Sequence, residues 1–503
     1  MRGAGWAATE FGQADLGDRR RTDRLIAIAE QWGAQPTASI PAASGSWAAS
    51  KGTYRFLDNA AVAPDQLLAA HAEATAARAG RERVVLALQD TTQLDLTTHA
   101  ALDGAGPLAG TKQRGLFVHT VLVATDAAGD AAVGVPLGIV HQDRWARDAE
   151  PPGQRATRRQ RTTAEKESQR WLTALEQTQQ RLGATRTVIT VADREADLYA
   201  LFALARPVGS EVLIRATQNR RVTDPAGYLV DAVEAAPVLG THAVTIGRRD
   251  GRSPRIAELA LRTLATDLLP PHRERGQPIP VVVILATEVV APNDPRFGLP
   301  GSVAGSAIPA VRQRDRRPQA TDPIDPIRWL LVTTILDHSR AGAITAIRRY
   351  AQRWLIERFH YVLKQGGRIE ALQLRTVDRL ERAVAIWTVV AWRLLWLTYF
   401  ARAAPDAPAS VVLPEAAWPL LWRATHPPRR GQPPPPLPAT PPPLQDTVRL
   451  IAQLGGFLGR RGDGEPGAVV LWRGLRRLDD LLLGATLAQS SADTLSGRDV
   501  GNA

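Results

Sequence analysis

The apolar positions of this chain recur with two periods, and the places where one period gives way to the other mark its elements. A β-type run, Val84-Val-Leu-Ala-Leu-Gln, ends at a carboxylate, Asp90. Two further apolar runs follow at 116–123 and 132–140, with Gly129-Asp130 as a turn between them. Thr162-Thr-Ala-Glu165 has the form of a capping box and opens a helical pattern that runs to Leu182. Thr187-Val-Ile-Thr-Val-Ala is a second β-type run closed by a carboxylate, Asp193; a helix over 195–205 and a strand over 211–216 come next. The predicted order from about residue 80 to 220 is three strands, helix, strand, helix, strand.

Flanking regions read differently. Residues 1–75 carry helical patterns, including a periodic run from Leu25 to Trp32 and the segment Trp47-Ala-Ala-Ser-Lys51-Gly-Thr-Tyr54-Arg55-Phe56. From about 220 to 326 the pattern becomes Arg- and Pro-rich with β-type runs such as 279–286, which predicts an inserted, mostly β subdomain, because so long a loop without structure is improbable. Residues 383–400 form the most apolar helical stretch, interrupted by Arg393 and rich in tryptophan, so a buried helix is expected rather than a membrane span. Residues 401–443 read as a proline-rich linker, extended or disordered where proline is densest, and 444–503 as a final module containing Trp472.

Helical spacing also organises the polar residues of 350–364. Offsets of three, four and seven put Tyr350, Arg353, Glu357 and Lys364 on one stripe, with Ile347, Ala351, Leu355 and Val362 roughly opposite. Such a face, mainly cationic with one carboxylate, suits a metal ligand flanked by groups that hold phosphates; an ordinary solvated helix face shows the same spacing. For Asp90 and Asp193 the alternatives are likewise a site at a sheet edge or a strand-ending turn or cap. Glu195 and Asp197 read as charges at a helix N-terminus.

Composition sharpens this picture. A formal charge of +12 and a pI near 10.7 point to a polyanionic partner, while the absence of cysteine removes disulfides, thiol nucleophiles and cysteine-based zinc sites and fits a reducing cytoplasm. Only four of the 62 basic residues are lysines, among them Lys51 and Lys364.

Tyr350-(2)-Arg353-(3)-Glu357-(6)-Lys364, Gln-Asp90-Thr-Thr and Ala-Asp193-Arg-Glu-Ala-Asp resemble the signatures of IS4-group DDE transposases of the Tn5-like kind, from Trp6 to about Leu478. The resemblance implies an α/β fold: a ribonuclease-H-like catalytic core over 76–400 with a β-rich insertion, plus helical N-terminal and C-terminal modules for end binding and dimerisation. It implies that Asp90, Asp193 and Glu357 hold two Mg²⁺ ions, which Mn²⁺ can replace, and that these serve successive in-line displacements at phosphorus. DNA contact would fall to Tyr350, Arg353, Lys364 and Arg215, and in the N-terminal module to Lys51, Tyr54 and Arg55. Trp329 would stack on a flipped base, unless it is a core residue at a strand start. The implied partners are double-stranded DNA, as transposon inverted-repeat ends and target, and a second copy of the chain in a synaptic complex; no membrane is involved, and the protein works in the bacterial cytoplasm on the nucleoid. A ribonuclease-H-like DNA nuclease and a repurposed, catalytically silent DNA-binding protein remain the alternatives, with an aspartyl phosphatase weaker still.

Overall fold

A computed structural model describes residues 5–36, 38–108, 112–127, 134–148, 167–183, 186–246, 255–272, 275–290, 326–428, 431–460 and 463–496. The capping box at 162–165 and the turn at 129–130 lie outside these residues.

Five helices come first: α1 (Trp6–Phe11), α2 (Arg19–Ala34), α3 (Ile40–Ser44), α4 (Trp47–Leu57) and α5 (Pro64–Ala79). Asp18, Ser39 and Ser46 cap α2, α3 and α4 with side-chain oxygens that accept backbone N–H groups. The expected strands follow, with the two-residue β2 in addition: β1 (Val84–Asp95), β2 (Gly106–Pro107), β3 (Arg114–Thr125), β4 (Pro136–Trp145), β5 (Thr187–Ala192) and β6 (Ser210–Arg215), with α6 (Gln169–Leu182) and α7 (Tyr199–Ala203) between the later ones. β4, β3 and β1 pair antiparallel, whereas β1, β5 and β6 pair parallel, which gives the order β4-β3-β1-β5-β6 of a ribonuclease-H-like sheet.

The insertion is β-rich as expected, but its strands share the core sheet. After α8 (Leu229–Ala235), β7 (Gly240–Ile246), β8 (Arg255–Leu268) and β9 (Ile279–Glu288) run antiparallel; β10 (Arg328–Thr333) then joins β9 to β6 in one ten-stranded sheet. The mainly apolar β9 is buried through most of its length, so its burial is supplied by extending that sheet.

Helices α9 (Arg340–Ala351) and α10 (Trp354–Tyr361) precede α11 (Val377–Ala403), whose residues are buried along most of its length. α11 is the one described helix long and apolar enough to cross a membrane; 78% of its most apolar window is covered by the protein itself, against α5, β4 and α2 among others. Contrary to the expected linker, 401–443 contains a helix, α12 (Ala417–Thr425), whose Ala417 and Leu421 join one core with Leu397 and Ala401 of α11. The same core takes Leu444, Val448 and Ile451 of α13 (Leu444–Leu454) and Leu471 and Leu478 of α14 (Ala468–Ser496). The C-terminal module is thus seated on α11, and Trp472 packs so closely on Gly366 that a Cβ there would lie 2.1 Å from its ring.

A buried polar knot joins the N-terminal helices to this body. The Ile139 amide donates to Nε2 of His71 at 3.0 Å, so the imidazole proton sits on Nδ1, which donates to Glu10 at 2.6 Å; Arg78 donates to the same carboxylate at 2.8 Å. Burial alone would raise the Glu10 carboxyl, but His71 and Arg78 outweigh it and bring it down to about 2. A depressed carboxylate stabilises the fold above its ordinary value of 4.5 and loses that contribution as pH falls toward about 2. Glu10→Ala should therefore cost about 3–5 kcal/mol near neutral pH, and the gap between mutant and wild-type denaturation curves should shrink on acidification. A constant gap would mean that the effect is one of packing.

Candidate active site

Strand β1 sorts its side chains by alternation. Leu86 and Leu88 enter the main core with α11, and Val85 and Ala87 the opposite core with α6. Asp90 continues the Leu86–Leu88 face, but the strand does not end there: pairing with β3 carries it on to Asp95 opposite Gly115. What ends is the parallel ladder on the other side, which pairs Val84 with Thr187 and Leu88 with Val191. Carried two residues further, that register sets Asp90 opposite Asp193, the first residue beyond β5, on the same face.

Asp193 ends β5 by capping a 3-10 turn, Arg194–Ala196, with its Oδ1 accepting the Glu195 amide at 2.9 Å. The helix expected over 195–205 is therefore shorter, and Asp197 is not a dipole charge. Its carboxylate accepts the Thr217 and Gln218 amides at 2.8 and 2.7 Å and pairs with Arg220 at 2.7 Å, which ties the end of β6 to the core and leaves it no role as a ligand.

Glu357 arrives from the other direction, and the single helix expected over 347–364 is broken on the way. Gln352 and Arg353 form a turn between α9 and α10, the Gln352 side chain accepts the Gly134 amide at 3.0 Å, and Val362–Gly366 widens into a π-helical segment that carries Lys364. Because of the break, Tyr350 and Ala351 exchange places relative to the expectation. Tyr350 is buried edge-on to Trp329, with ring centroids 5.4 Å apart, while Ala351 is exposed. Trp329 is half-buried on β10 beside Ala286.

Arg353 occupies the centre of the acidic group. Its guanidinium donates to Glu357, lies 3.8 Å from Asp90 and 5.9 Å above the Tyr350 ring. Burial opposes its charge, but Tyr350, Glu357, Asp90 and Asp193 outweigh that and raise its pKa. The two aspartates diverge. Burial pushes both up; for Asp90 it is outweighed by His360, 3.6 Å away, and by Arg353, which hold the carboxyl below its usual range, whereas the Asp90 charge lifts Asp193 further above it. Glu195 is raised by partial desolvation and by the charges of Asp193 and Asp90.

Lys364 donates to the Gln93 carbonyl at 2.7 Å and stands 3.7 Å from Glu370. Asp90, Glu357, His360, Tyr361 and Lys364 are among the residues that line one cleft of about 330 Å³. Arg215, at the end of β6, donates to the Arg328 carbonyl at 3.2 Å and contributes positive potential at Asp193.

Among the described residues no three acidic or histidine side chains converge closely enough to hold an ion, and Glu357 is paired with Arg353. The donor set still fits a hard divalent cation. It is all oxygen, two of its carboxylates repel each other across a strand ladder, and its present counter-charge sits on a side chain with rotatable bonds.

The N-terminal residues form a separate surface. Lys51 and Arg55 are exposed on α4, Tyr54 is half-buried, and Phe56 is in the core as expected. With Trp47, Asp58 and Arg379 they line a cleft of about 750 Å³. Trp47 is 76% exposed and lies under the Lys51 ammonium, 4.6 Å from ring centroid to nitrogen. Trp47, Arg379 and His360 were missed in the sequence. The signal for two of them was present, since Trp47 precedes Lys51 by one helical turn and His360 follows Glu357 by three residues.

Three protein families match successive parts of the chain: transposase DNA-binding over residues 3–62, transposase DDE domain over 161–393, and transposase Tn5 dimerisation domain over 389–495. Asp193 and Glu357 lie inside the second match; Asp90 lies between the first and the second. Among solved structures, a piggyBac transposase synaptic complex with hairpin DNA overlaps at 7% identity and a TM-score of 0.32, covering 79% of this chain and 74% of that one, too loosely to carry an argument.

Proposed function

The chain belongs to the Tn5-like DDE transposases, and from that premise we propose that Asp90, Asp193 and Glu357 are the carboxylates with which it cuts and joins DNA. As a member it is a DNA transposase that binds DNA, dimerises and uses a divalent metal; our reading adds Mg²⁺, with Mn²⁺ as substitute, and assigns the residues. The observation that carries it is the parallel register that sets Asp90 beside Asp193, with Glu357 drawn to the pair by Arg353.

When bound, the metal activates the attacking oxygen and stabilises the leaving one in an in-line displacement at phosphorus. The protein's own residues supply position and charge. Asp90, within β1, and Asp193, just past the end of β5, are held by adjacent paired strands, while Glu357 is delivered on a helix. Arg353 exchanges its carboxylate partners for a DNA phosphate, which frees Glu357 to turn to the cation, and Lys364 and Arg215 contact phosphates on either side. Tyr350 supports Arg353 from beneath. On α4, Lys51, Tyr54 and Arg55 contact the transposon end, with Trp47 offering a flat apolar face. The substrates are the inverted-repeat ends of the element and a target duplex, in the bacterial cytoplasm on the nucleoid. The second copy docks on the solvent side of α14, where Leu483 and Leu487, one helical turn apart, are exposed.

Trp329 separates a transposase that passes through a hairpin from a plain nuclease. If its half-buried ring receives an extruded base, Trp329→Ala leaves first-strand nicking nearly unchanged and slows hairpin formation about 5- to 150-fold, since only the second step requires unstacking worth about 1–3 kcal/mol. Nicked and hairpin products resolved on a denaturing gel check this. Equal loss of both returns Trp329 to the core as the edge partner of Tyr350.

A further inference from the structure

Two side chains face the Asp90 carboxylate with positive or proton-donating groups, and only one can stay while the site works. Arg353, 3.8 Å away, also holds Glu357 and must let go for the three carboxylates to converge. His360 can stay. Its ring is buried, 5% exposed, and tilted against Phe359; Nδ1 lies 3.6 Å from Asp90 Oδ2, and Nε2 is buried without a hydrogen-bond partner. It stands three residues after Glu357 on α10, so one helical turn presents both side chains on the same face.

We propose that His360 is a positioning residue for Asp90: from 3.6 Å its Nδ1–H closes to a hydrogen bond that orients the carboxylate for the cation, so that the turn of α10 that delivers Glu357 also orients the carboxylate on β1. A carboxylate with one oxygen held by an N–H donor keeps its charge and loses rotational freedom, which favours a ligand over a free rotor. Nδ1 is the working atom, because Nε2 points into protein. The inference rests on the reading of Asp90 as a metal ligand, and its test keeps the two apart.

The full chain is titrated with Mn²⁺ and free ion is followed by electron paramagnetic resonance, alongside gel-shift binding of a duplex carrying the element's terminal repeat. His360→Ala should weaken Mn²⁺ binding about 10- to 100-fold with the duplex bound as before. His360→Asn, whose amide nitrogen overlies Nδ1, should restore binding to within about threefold, and His360→Gln, whose nitrogen overlies Nε2, should not. Mn²⁺ binding that drops in Asp90→Ala but not in His360→Ala overturns the role of His360 alone. Binding unchanged in Asp90→Ala overturns the ligand reading beneath it. Rescue by Gln and not by Asn, or loss of duplex binding in all three variants, makes His360 a packing residue.

Discussion

Asp90→Ala, Asp193→Ala and Glu357→Ala each abolish nicking of an end-containing duplex in Mg²⁺, by at least about 10³-fold, and leave its binding largely intact. The magnitude follows from the several kcal/mol of transition-state charge stabilisation that a bound cation supplies. The separation of effects follows from geometry. The three carboxylates form one charged group around Arg353, whereas Lys51 and Arg55, the proposed contacts to the transposon end, belong to a different, exposed surface on α4. Asp193→Ala also removes the cap of the 3-10 turn, so a denaturation curve on each mutant distinguishes a lost ligand from a loosened strand end. A mutant that nicks at near wild-type rate removes that residue from the ligand set.

The second large effect concerns assembly. Removing 444–503 outright would strip α13 and α14 from α11 and, with Trp472 gone, uncover Gly366, so a truncation reports on folding before it reports on dimerisation. Leu483→Glu with Leu487→Glu is the cleaner variant, because both side chains lie on one helix face and are already exposed, at 62% and 60%. Two leucines buried at an interface contribute about 1.5–3 kcal/mol each, so their replacement by carboxylates should weaken the dimer by at least about 10²-fold. Sedimentation of the protein–DNA complex should then show one protein per end, with double-strand cleavage lost and single-end binding kept. A double mutant that still pairs ends and cuts both strands places the dimer contact elsewhere.

Much of this organisation was legible in the sequence, for a physical reason. Buried parallel strands such as 187–192 are continuous apolar runs, and the carboxylates that close them stand out by contrast. The errors came where tertiary partners overrode local pattern. Strand β1 seemed to finish at Asp90 because the charge interrupts the run, yet β3 supplies ladder partners as far as Asp95. Helix 347–364 carries no Gly or Pro at its break; the Gln352 side chain bonds to Gly134, far away in sequence, and the turn rotates Tyr350 inward. The proline count after Phe400 masked α12, whose Leu421 is held by a core assembled from three other helices. Nothing local marks what His360 faces, since the carboxylate nearest to it comes from β1.

On the proposed function this site both cuts and joins DNA, and joining is what separates it from a nuclease. The most direct measurement incubates the full chain with Mg²⁺, a linear duplex ending in the element's own terminal repeat with a free 3′-OH, and a supercoiled target plasmid, and sequences the products. Repeat ends covalently joined through their 3′ strands to the target, paired at a fixed short stagger, are expected, with no joints when Glu357 is alanine. Target that is nicked or linearised without any joined repeat end, or joints formed equally well by Glu357→Ala, would contradict it.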